Sequence, residues 1–321
     1  MTHTGATAAP VLTPARRALG VGLAVASGVA VAAQSRVNGE LGVRLQDGIA
    51  AALVSFGVGL LVLAVLVPAL PGGRRGLRML RRALTEGTLR PWQCLGGLCG
   101  ALLVATQGLT VGVLGVAVFT VAVVAGQSAS SLVVDRFGIG PGGAQPVTGA
   151  RLAGAVLTVL AVLLAVGDRL ADPAALALAA LPLLAGLAVA WQQAVNGRVG
   201  IAAGSVLTAT LVNFAVGTVG LLVVFLVDLA LRGRPGGAFP AEPWLYIGGP
   251  IGIVFIAIAA AVVRFTGVLL LGLATISGQV LGAVAMDVVF PTAASQPGPR
   301  TLLGTALTLV AVLIAALGSR R

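Results

Sequence analysis

The chain has 321 residues, of which 58% are hydrophobic and only 9% are charged. Soluble domains carry about 25% charged residues, so this composition excludes an ordinary soluble protein and indicates a membrane protein. The formal net charge is +11, but the basic residues lie at the ends of apolar segments, which argues against nucleic-acid binding.

Apolar runs long enough to cross about 30 Å of hydrocarbon, roughly 20 residues each, recur along the whole chain. They lack the alternating pattern of barrel strands and therefore predict helices. We predict an all-α integral membrane protein with ten transmembrane helices. The predicted spans are residues 16–37, 48–70, 92–112, 114–136, 150–168, 174–195, 204–230, 244–263, 265–289 and 301–318.

A polar tail, residues 1–14, precedes the first span and is predicted to be disordered. The first span follows the pair Arg16-Arg17 and contains "SGVAVAA", a pattern that a cleaved export signal also shows. The motif that follows this span recurs in the middle of the chain, where no signal can lie. We therefore predict that the first span is retained.

The sequence contains a long internal repeat. "QSRVNGELG" from Gln34 is matched by "QQAVNGRVG" from Gln192, and "LVSFGVG" from Leu53 is matched by "LVNFAVG" from Leu211. Further matches are Pro-Trp at 91 and 243, "GGLCG" and "GGPIG" from 96 and 248, and "AGQSASSLVVD" and "SGQVLGAVAMD" from 125 and 277. Each copy holds five predicted spans, so the second copy enters the membrane from the opposite side. We predict two inverted five-helix repeats, residues 15–169 and 170–321.

All 20 basic residues are arginines. With a cytoplasmic N-terminus, fourteen lie on the inner side and six on the outer side, so the positive-inside rule places both termini in the cytoplasm. The segment "GGRRGLRMLRRALTEGTLR", residues 72–90, supplies six of the fourteen. Its simplest interpretation is a topology signal, and a short interfacial helix that touches anionic headgroups is the alternative.

These motifs, in this order and in duplicate, resemble the YdcZ-like family of bacterial drug/metabolite transporters. The resemblance covers nearly the whole chain and implies a fused tandem form, because many members carry a single copy. It also implies that the first four helices of each unit surround a substrate path and that the fifth is peripheral. The chain departs from the family pattern in two places. Relatives often carry Pro before the Gly of "VGVLGVAV" and "VRFTGVLL", and they place Phe-Gly soon after the acid where this chain reads "MDVVFPTAAS".

Polar side chains in a bilayer are costly and tend to face a bundle interior or a water-filled path. Gln127 and Gln279 lie near the middle of the predicted fourth and ninth spans and are predicted to contact the substrate, since an amide both donates and accepts hydrogen bonds. Alternatively, each only bonds a neighbouring helix. The other candidate path residues are Gln34, Asn38, Ser55, Gln192, Gln193, Asn196 and Asn213. The two Asn-Gly pairs among them could instead end their helices.

Asp135 and Asp287 lie near the ends of spans. Each is predicted either to bind and release a proton or to anchor its helix end in water. Two Gly-x-x-x-Gly pairs are predicted to let helices approach closely, namely Gly96 with Gly100 and Gly248 with Gly252. His3 is the only histidine, so a histidine metal site or catalytic triad is excluded. We predict no catalytic residues, metal or cofactor, and no enzyme activity.

The predicted function is secondary transport of a small metabolite or an amphipathic or cationic compound across the cytoplasmic membrane by alternating access. The expected partners are that substrate and membrane lipids, with the chain acting as a monomer or homodimer. A lipid flippase and a non-transporting membrane partner protein are the alternatives.

Overall fold

The computed structural model describes residues 14–141, 143, 144, 146–165, 173–291 and 297–317. The predicted tail, apart from Pro14, and the predicted seam near residue 170 lie outside these ranges. Within them the regular structure is helical throughout, which confirms the all-α prediction. The helices are α1 (Pro14–Leu45), α2 (Gly48–Ala69), α3 (Pro71–Thr85), α4 (Gly96–Leu114), α5 (Val116–Arg136), α6 (Gly149–Ala165), α7 (Pro173–Ala203), α8 (Val206–Arg232), α9 (Gly248–Val289) and α10 (Pro299–Leu317). Short 3-10 turns, Pro91–Leu95 and Pro243–Tyr246, lead into α4 and α9.

Six helical segments of the described chain are long and apolar enough to cross a membrane. They are Ala18–Leu45, Gly48–Ala69, Pro91–Leu114, Val116–Arg136, Ala177–Ala203 and Val206–Arg232. Three shorter apolar helical segments are Gly149–Ala165, Ala274–Val289 and Pro299–Ile314. The structure therefore supports a multi-pass membrane protein, and the count of ten spans remains a prediction.

The first helix of each copy is longer than predicted. Asn38 lies inside α1, which continues to Leu45, and Asn196 lies inside α7, which continues to Ala203. The alternative that the Asn-Gly pairs end their helices is therefore wrong. Both asparagine side chains instead project from regular helix, where they can bond to neighbouring helices.

The ends of these two helices have the same design. Gln46 follows α1 and has φ 53°, and Gly204 follows α7 and has φ 58°. At both places the backbone turns through the left-handed region. The next residues cap the following helices. Asp47 accepts from the backbone N–H groups of Ile49 and Ala50, and Ser205 accepts from that of Thr208.

The arginine-rich segment forms a helix, α3, that follows directly after α2. Its buried residues are Gly73, Gly76, Leu80 and Ala83. They recur at helical spacing and pack on α2, α7 and α8, so α3 of the first copy contacts the second copy. The two glycines of this face have no side chain, which permits close contact with the neighbouring segments. A Cβ at Gly73 would overlap the carbonyl oxygen of Val67, and one at Gly76 the hydroxyl of Thr208.

The predicted span 265–289 and all but the first four residues of the predicted span 244–263 lie in α9, which is helical over 42 residues. In the first copy the equivalent junction is Gly115, whose φ of 80° separates α4 from α5. In the second copy the helical backbone continues through the equivalent Gly267.

The two ends of α9 nevertheless run in opposite directions along α1. Gly248 and Gly252 lie against Asn38 and Gln34, so the start of α9 is antiparallel to α1. Later, Gly278 lies against Val25 and Gly282 against Val29, so the end of α9 is parallel to it. The direction must reverse between these two parts. A straight helix of this length would also measure about 63 Å, twice the hydrocarbon thickness.

The same contacts recur between α7 and the first copy. Gly96 lies against Asn196 and Gly100 against Gln192, so α4 is antiparallel to α7. Gly126 of α5 then lies against the backbone of α7, and Gly186 of α7 lies against that of α5. Equivalent positions of the two copies therefore make equivalent contacts.

Helices α2 and α8, one from each copy, pack against each other. The rings of Phe56 and Phe214 lie with their centroids 4.9 Å apart. Gly59 and Gly217 leave space for these rings. A Cβ on Gly59 would overlap Phe214, and one on Gly217 would overlap Phe56. At the other side of the bundle α6 packs on α10, each the last helix of its copy.

Stability measurements can test the backbone contact between α5 and α7. A Cβ at Gly126 would overlap the carbonyl oxygen of Leu183, whereas one at Gly57 of α2 would meet no atom within 4 Å. We expect Gly126→Ala to lower the free energy of unfolding by about 1–3 kcal/mol through overpacking. Gly57→Ala should leave it unchanged or raise it by up to about 1 kcal/mol. Unfolding of the purified protein in detergent measures both, and equal effects would contradict the close contact.

Candidate functional site

Three predicted site residues of the second copy form an amide cluster, the second polar cluster. It consists of Gln192 and Asn196 of α7 and Asn213 of α8. The side-chain oxygen of Asn213 accepts from Gln192 Nε2 at 2.9 Å and from Asn196 Nδ2 at 2.8 Å. The two donors lie one turn apart on the same face of α7. Helix packing therefore brings together three residues that the sequence comparison singled out.

The equivalent residues of the first copy bond differently. We call Ser35, Asn38, Ser55 and Gln107 the first polar cluster. Asn38 Nδ2 donates to Gln107 Oε1 at 2.6 Å, and Gln107 Nε2 donates to Ser35 Oγ at 3.0 Å. All four side chains are at least 98% buried. The cluster joins α1 to α4 within the first copy.

The replacement of an asparagine by a serine explains the difference between the clusters. Asn213 reaches the amide of Asn196, whereas the shorter Ser55 at the equivalent position does not reach Asn38. Within the described chain, Ser55 Oγ and Asn38 Oδ1 have no hydrogen-bond partner. Asn38 donates to Gln107 of α4 instead.

Sequence reasoning missed Gln107. The repeat comparison could not reveal it, because the equivalent residue of the second copy is Ala259. The available signal was a glutamine in the interior of the mostly apolar span 92–112.

The four glycines predicted for helix packing make room for these side chains. A Cβ at Gly96 or Gly100 would overlap the amides of Asn196 or Gln192. Gly248 and Gly252 have the same relation to Asn38 and Gln34 of the first copy. The backbone also supplies a polar partner, since Gln34 Nε2 donates to the carbonyl oxygen of Gly248 at 2.8 Å.

Gln127 and Gln279 occupy equivalent positions but have different surroundings. Gln127 Nε2 of α5 donates to Gln193 Oε1 of α7 at 3.2 Å, so this bond joins the two copies. Gln279 is 9% exposed, and its backbone lies against Gly28 of α1. The helices that carry the two glutamines meet close by, where Val124 packs against Val280.

Equivalent polar residues of the two copies differ in how far they reach the surface. Asn38 of the first copy and Gln279 of the second copy are buried. Their counterparts Asn196 and Gln127 are half-buried, and Gln193 beside them is exposed. Gln192 and Asn196 of the second polar cluster therefore reach the surface, although Asn213 is buried, whereas all side chains of the first polar cluster are buried.

Glycine contacts between α1 and α4 seal the first polar cluster. A Cβ at Gly42 of α1 or at Gly48 of α2 would overlap the backbone of Gly108, so both helices touch α4 without intervening side chains.

The two predicted acidic residues have unlike roles in the structure. Asp287 is 3% exposed, and its carboxylate accepts from the backbone N–H groups of Val116 and Ala117 at 2.8 and 2.7 Å. It therefore caps the N-terminus of α5 from another helix. Burial rules out the water-anchored alternative for this residue. Asp135 has a side chain that is 38% exposed and pairs with Arg151.

The N–H groups that Asp287 caps are free because Gly115 interrupts the helix just before them. The equivalent acid, Asp135, instead pairs with Arg151 of α6.

The polar clusters contain amides and hydroxyls and no ionisable side chain. Such groups both donate and accept hydrogen bonds, which suits a neutral or zwitterionic solute. Trp191, next to Gln192, stacks on Trp92 with ring centroids 6.3 Å apart and adds an aromatic surface. No group of three or more His, Cys, Asp or Glu side chains in the described chain could hold a metal ion.

Comparison with known families gives one match, which occurs twice. A family model described as "Putative inner membrane exporter, YdcZ" matches residues 19–164 and again residues 177–314. Together the two regions cover most of the chain. No curated protein matches it.

The capping role of Asp287 predicts a large effect on stability. Asp287→Ala leaves two buried N–H groups without an acceptor, so we expect the free energy of unfolding to fall by about 2–4 kcal/mol. Asp287→Asn retains an acceptor oxygen and should cost less. Unfolding in detergent, followed by circular dichroism, measures both changes.

Asp135→Ala is the matched control, because it removes the equivalent acid from a partly exposed ion pair. Its expected cost is below about 1 kcal/mol. Equal losses at the two positions would refute the cap.

Proposed function

Because the chain belongs to the YdcZ family of inner membrane exporters and contains two tandem copies of its unit, we propose that it is a secondary transporter that works by alternating access. The proposed cargo is a small metabolite or an amphipathic or cationic compound. Membership in an exporter family makes the protein a membrane transporter rather than an enzyme. One chain contains both copies, so we propose that a monomer suffices.

The proposed arrangement is ten spans in two inverted units, with both termini in the cytoplasm. The contacts of α7 support inversion. Its C-terminal part, at Asn196, lies beside the start of α4 at Gly96. If α1, α2 and α4 cross the membrane in turn, α4 starts on the same side as α1, so α7 must run opposite to α1. The distribution of fourteen inner and six outer arginines agrees with this orientation.

The observation that carries the proposal is that polar side chains of one copy lie on glycines of the other. Gln192 and Asn196 face Gly100 and Gly96, and the same relation holds for Gln34 with Gly252. Inverted-repeat transporters bind their substrates between the repeats. We therefore assign the substrate path to the interface between the copies, with Gln127 and Gln193 as a bridging pair.

The unequal exposure of the two clusters supports an inward-open state. In the proposed topology the sealed first polar cluster lies towards the outer face, and the accessible second polar cluster lies towards the inner face. The outward-open state would then separate α1 from α4, which breaks the bond between Asn38 and Gln107. Proton exchange at an acid requires an accessible carboxylate, and the side chain of Asp135 is 38% exposed whereas Asp287 is 3% exposed.

Transport assays test this proposal. Metabolite profiles of cells with and without the protein identify a cargo, and uptake of that compound into vesicles gives a rate. We expect Gln127→Leu to reduce the rate about tenfold, because the amide supplies a hydrogen bond worth about 1 to 1.5 kcal/mol. Gln46→Leu makes the same change at an exposed turn and should leave the rate unchanged.

Three outcomes would contradict the proposal. Equal rates for Gln127→Leu and the unmodified protein would show that the Gln127 side chain does not contact the transported compound. No difference between the metabolite profiles would favour a non-transporting role. Translocation of a fluorescent lipid in liposomes without any solute uptake would favour a flippase.

A further inference from the structure

The most concentrated charge of the described chain lies on helix α3. Five exposed arginines point away from the packed face of the helix: Arg74, Arg75, Arg78, Arg81 and Arg82. Within the described residues none of them pairs with an acidic side chain, in contrast to Arg151 and Arg232 elsewhere. The cluster is therefore a positive surface without an internal counter-charge.

A topology signal needs only positive charge, whereas this segment has a defined shape. Arg74, Arg78 and Arg82 are spaced four residues apart and so form one row along the helix, each about 5–6 Å from the next. Like charges at this spacing repel one another. The fold holds them together because the opposite face of α3 is fixed by packing at Gly76, Leu80 and Ala83.

The position of α3 places this surface at the membrane boundary. The helix begins directly after α2, whose last turns expose Val65 and Leu70. Arg74 Nη1 donates to the carbonyl oxygen of Pro68, so this side chain folds back towards the end of α2. After α3 the chain enters α4 at Pro91-Trp92, where Trp92 is 43% exposed. Exposed tryptophan at the end of an apolar helix is typical of the headgroup region.

We propose that the five arginines of α3 bind the headgroups of anionic phospholipids. The phosphate oxygens would accept hydrogen bonds from the guanidinium groups, and neighbours in the row Arg74, Arg78 and Arg82 are close enough for two of them to share one headgroup. Because α3 also packs on α7 and α8, a bound lipid lies where the two copies meet at one face of the bundle. The site does not depend on the identity of any transported solute.

Lipid titration of the purified full-length protein in detergent tests this site without regard to membrane orientation. Native mass spectrometry gives the affinities for phosphatidylglycerol and for phosphatidylcholine. We expect the unmodified protein to prefer phosphatidylglycerol. Replacing all five arginines by glutamine should weaken the binding of phosphatidylglycerol at least about 25-fold. This lower bound assumes that two arginines contact one headgroup and that each contributes about fivefold to the affinity.

Three controls separate the site from general charge effects. Replacing the five arginines by lysine keeps the charge and the topology signal and should retain the preference for phosphatidylglycerol. The pair Arg232→Gln and Arg234→Gln removes exposed charge elsewhere and should also retain it. Circular dichroism and thermal unfolding must show that the variant with five glutamines is folded. If that variant is unfolded, the single variants Arg78→Gln and Arg82→Gln are tested in its place.

Two results would overturn the proposal. Unchanged phosphatidylglycerol affinity in the folded glutamine variants would show that α3 carries only a topology signal. Inorganic phosphate that displaces the lipid at millimolar concentration and stabilises the protein equally well would show that the arginines bind soluble anions instead.

Discussion

The contact that the rest of the structure depends on is the direct approach of backbones from the two copies. At Gly28 and Gly186 no side chain separates α1 from α9 or α7 from α5, and a Cβ at either glycine would overlap the facing backbone. The helices can therefore lie close enough for Gln34 and Gln192 to reach across to the other copy. Small residues commonly serve this purpose in membranes, where association relies on packing rather than on a hydrophobic driving force.

On this repeated scaffold the polar groups have diverged. Asn213 binds both amides of α7, whereas Ser55 leaves Asn38 free to bond Gln107. A helix break at Gly115 likewise gives Asp287 two N–H groups to cap, whereas the equivalent Asp135 pairs with Arg151. These differences fall on the side where α1 and α4 are sealed together. In the proposed mechanism, the first copy thus holds the closed gate and the second copy lines the open one.

The sequence sufficed to predict an all-helical membrane protein and to single out the three residues that form the second polar cluster, because both rest on signals that a single chain displays. Apolar length predicts spans, and the duplicated motifs identify Gln192, Asn196 and Asn213. It could not locate the helix ends, since Asn38 and Gly39 are compatible with either a cap or a helix interior. It also missed Gln107 and the trans cap by Asp287. Both depend on contacts between distant segments that neither periodicity nor the repeat reveals.

Thiol accessibility tests the central claim that equivalent polar clusters face opposite sides of the membrane. In a background with Cys94→Ser and Cys99→Ser, single cysteines at Asn38 and Asn196 are treated with a membrane-impermeant maleimide on intact cells and on inside-out vesicles. The account predicts that Asn196→Cys reacts rapidly and only in inside-out vesicles. It predicts that Asn38→Cys reacts slowly and only in intact cells. Labelling of both cysteines from the same side would contradict it.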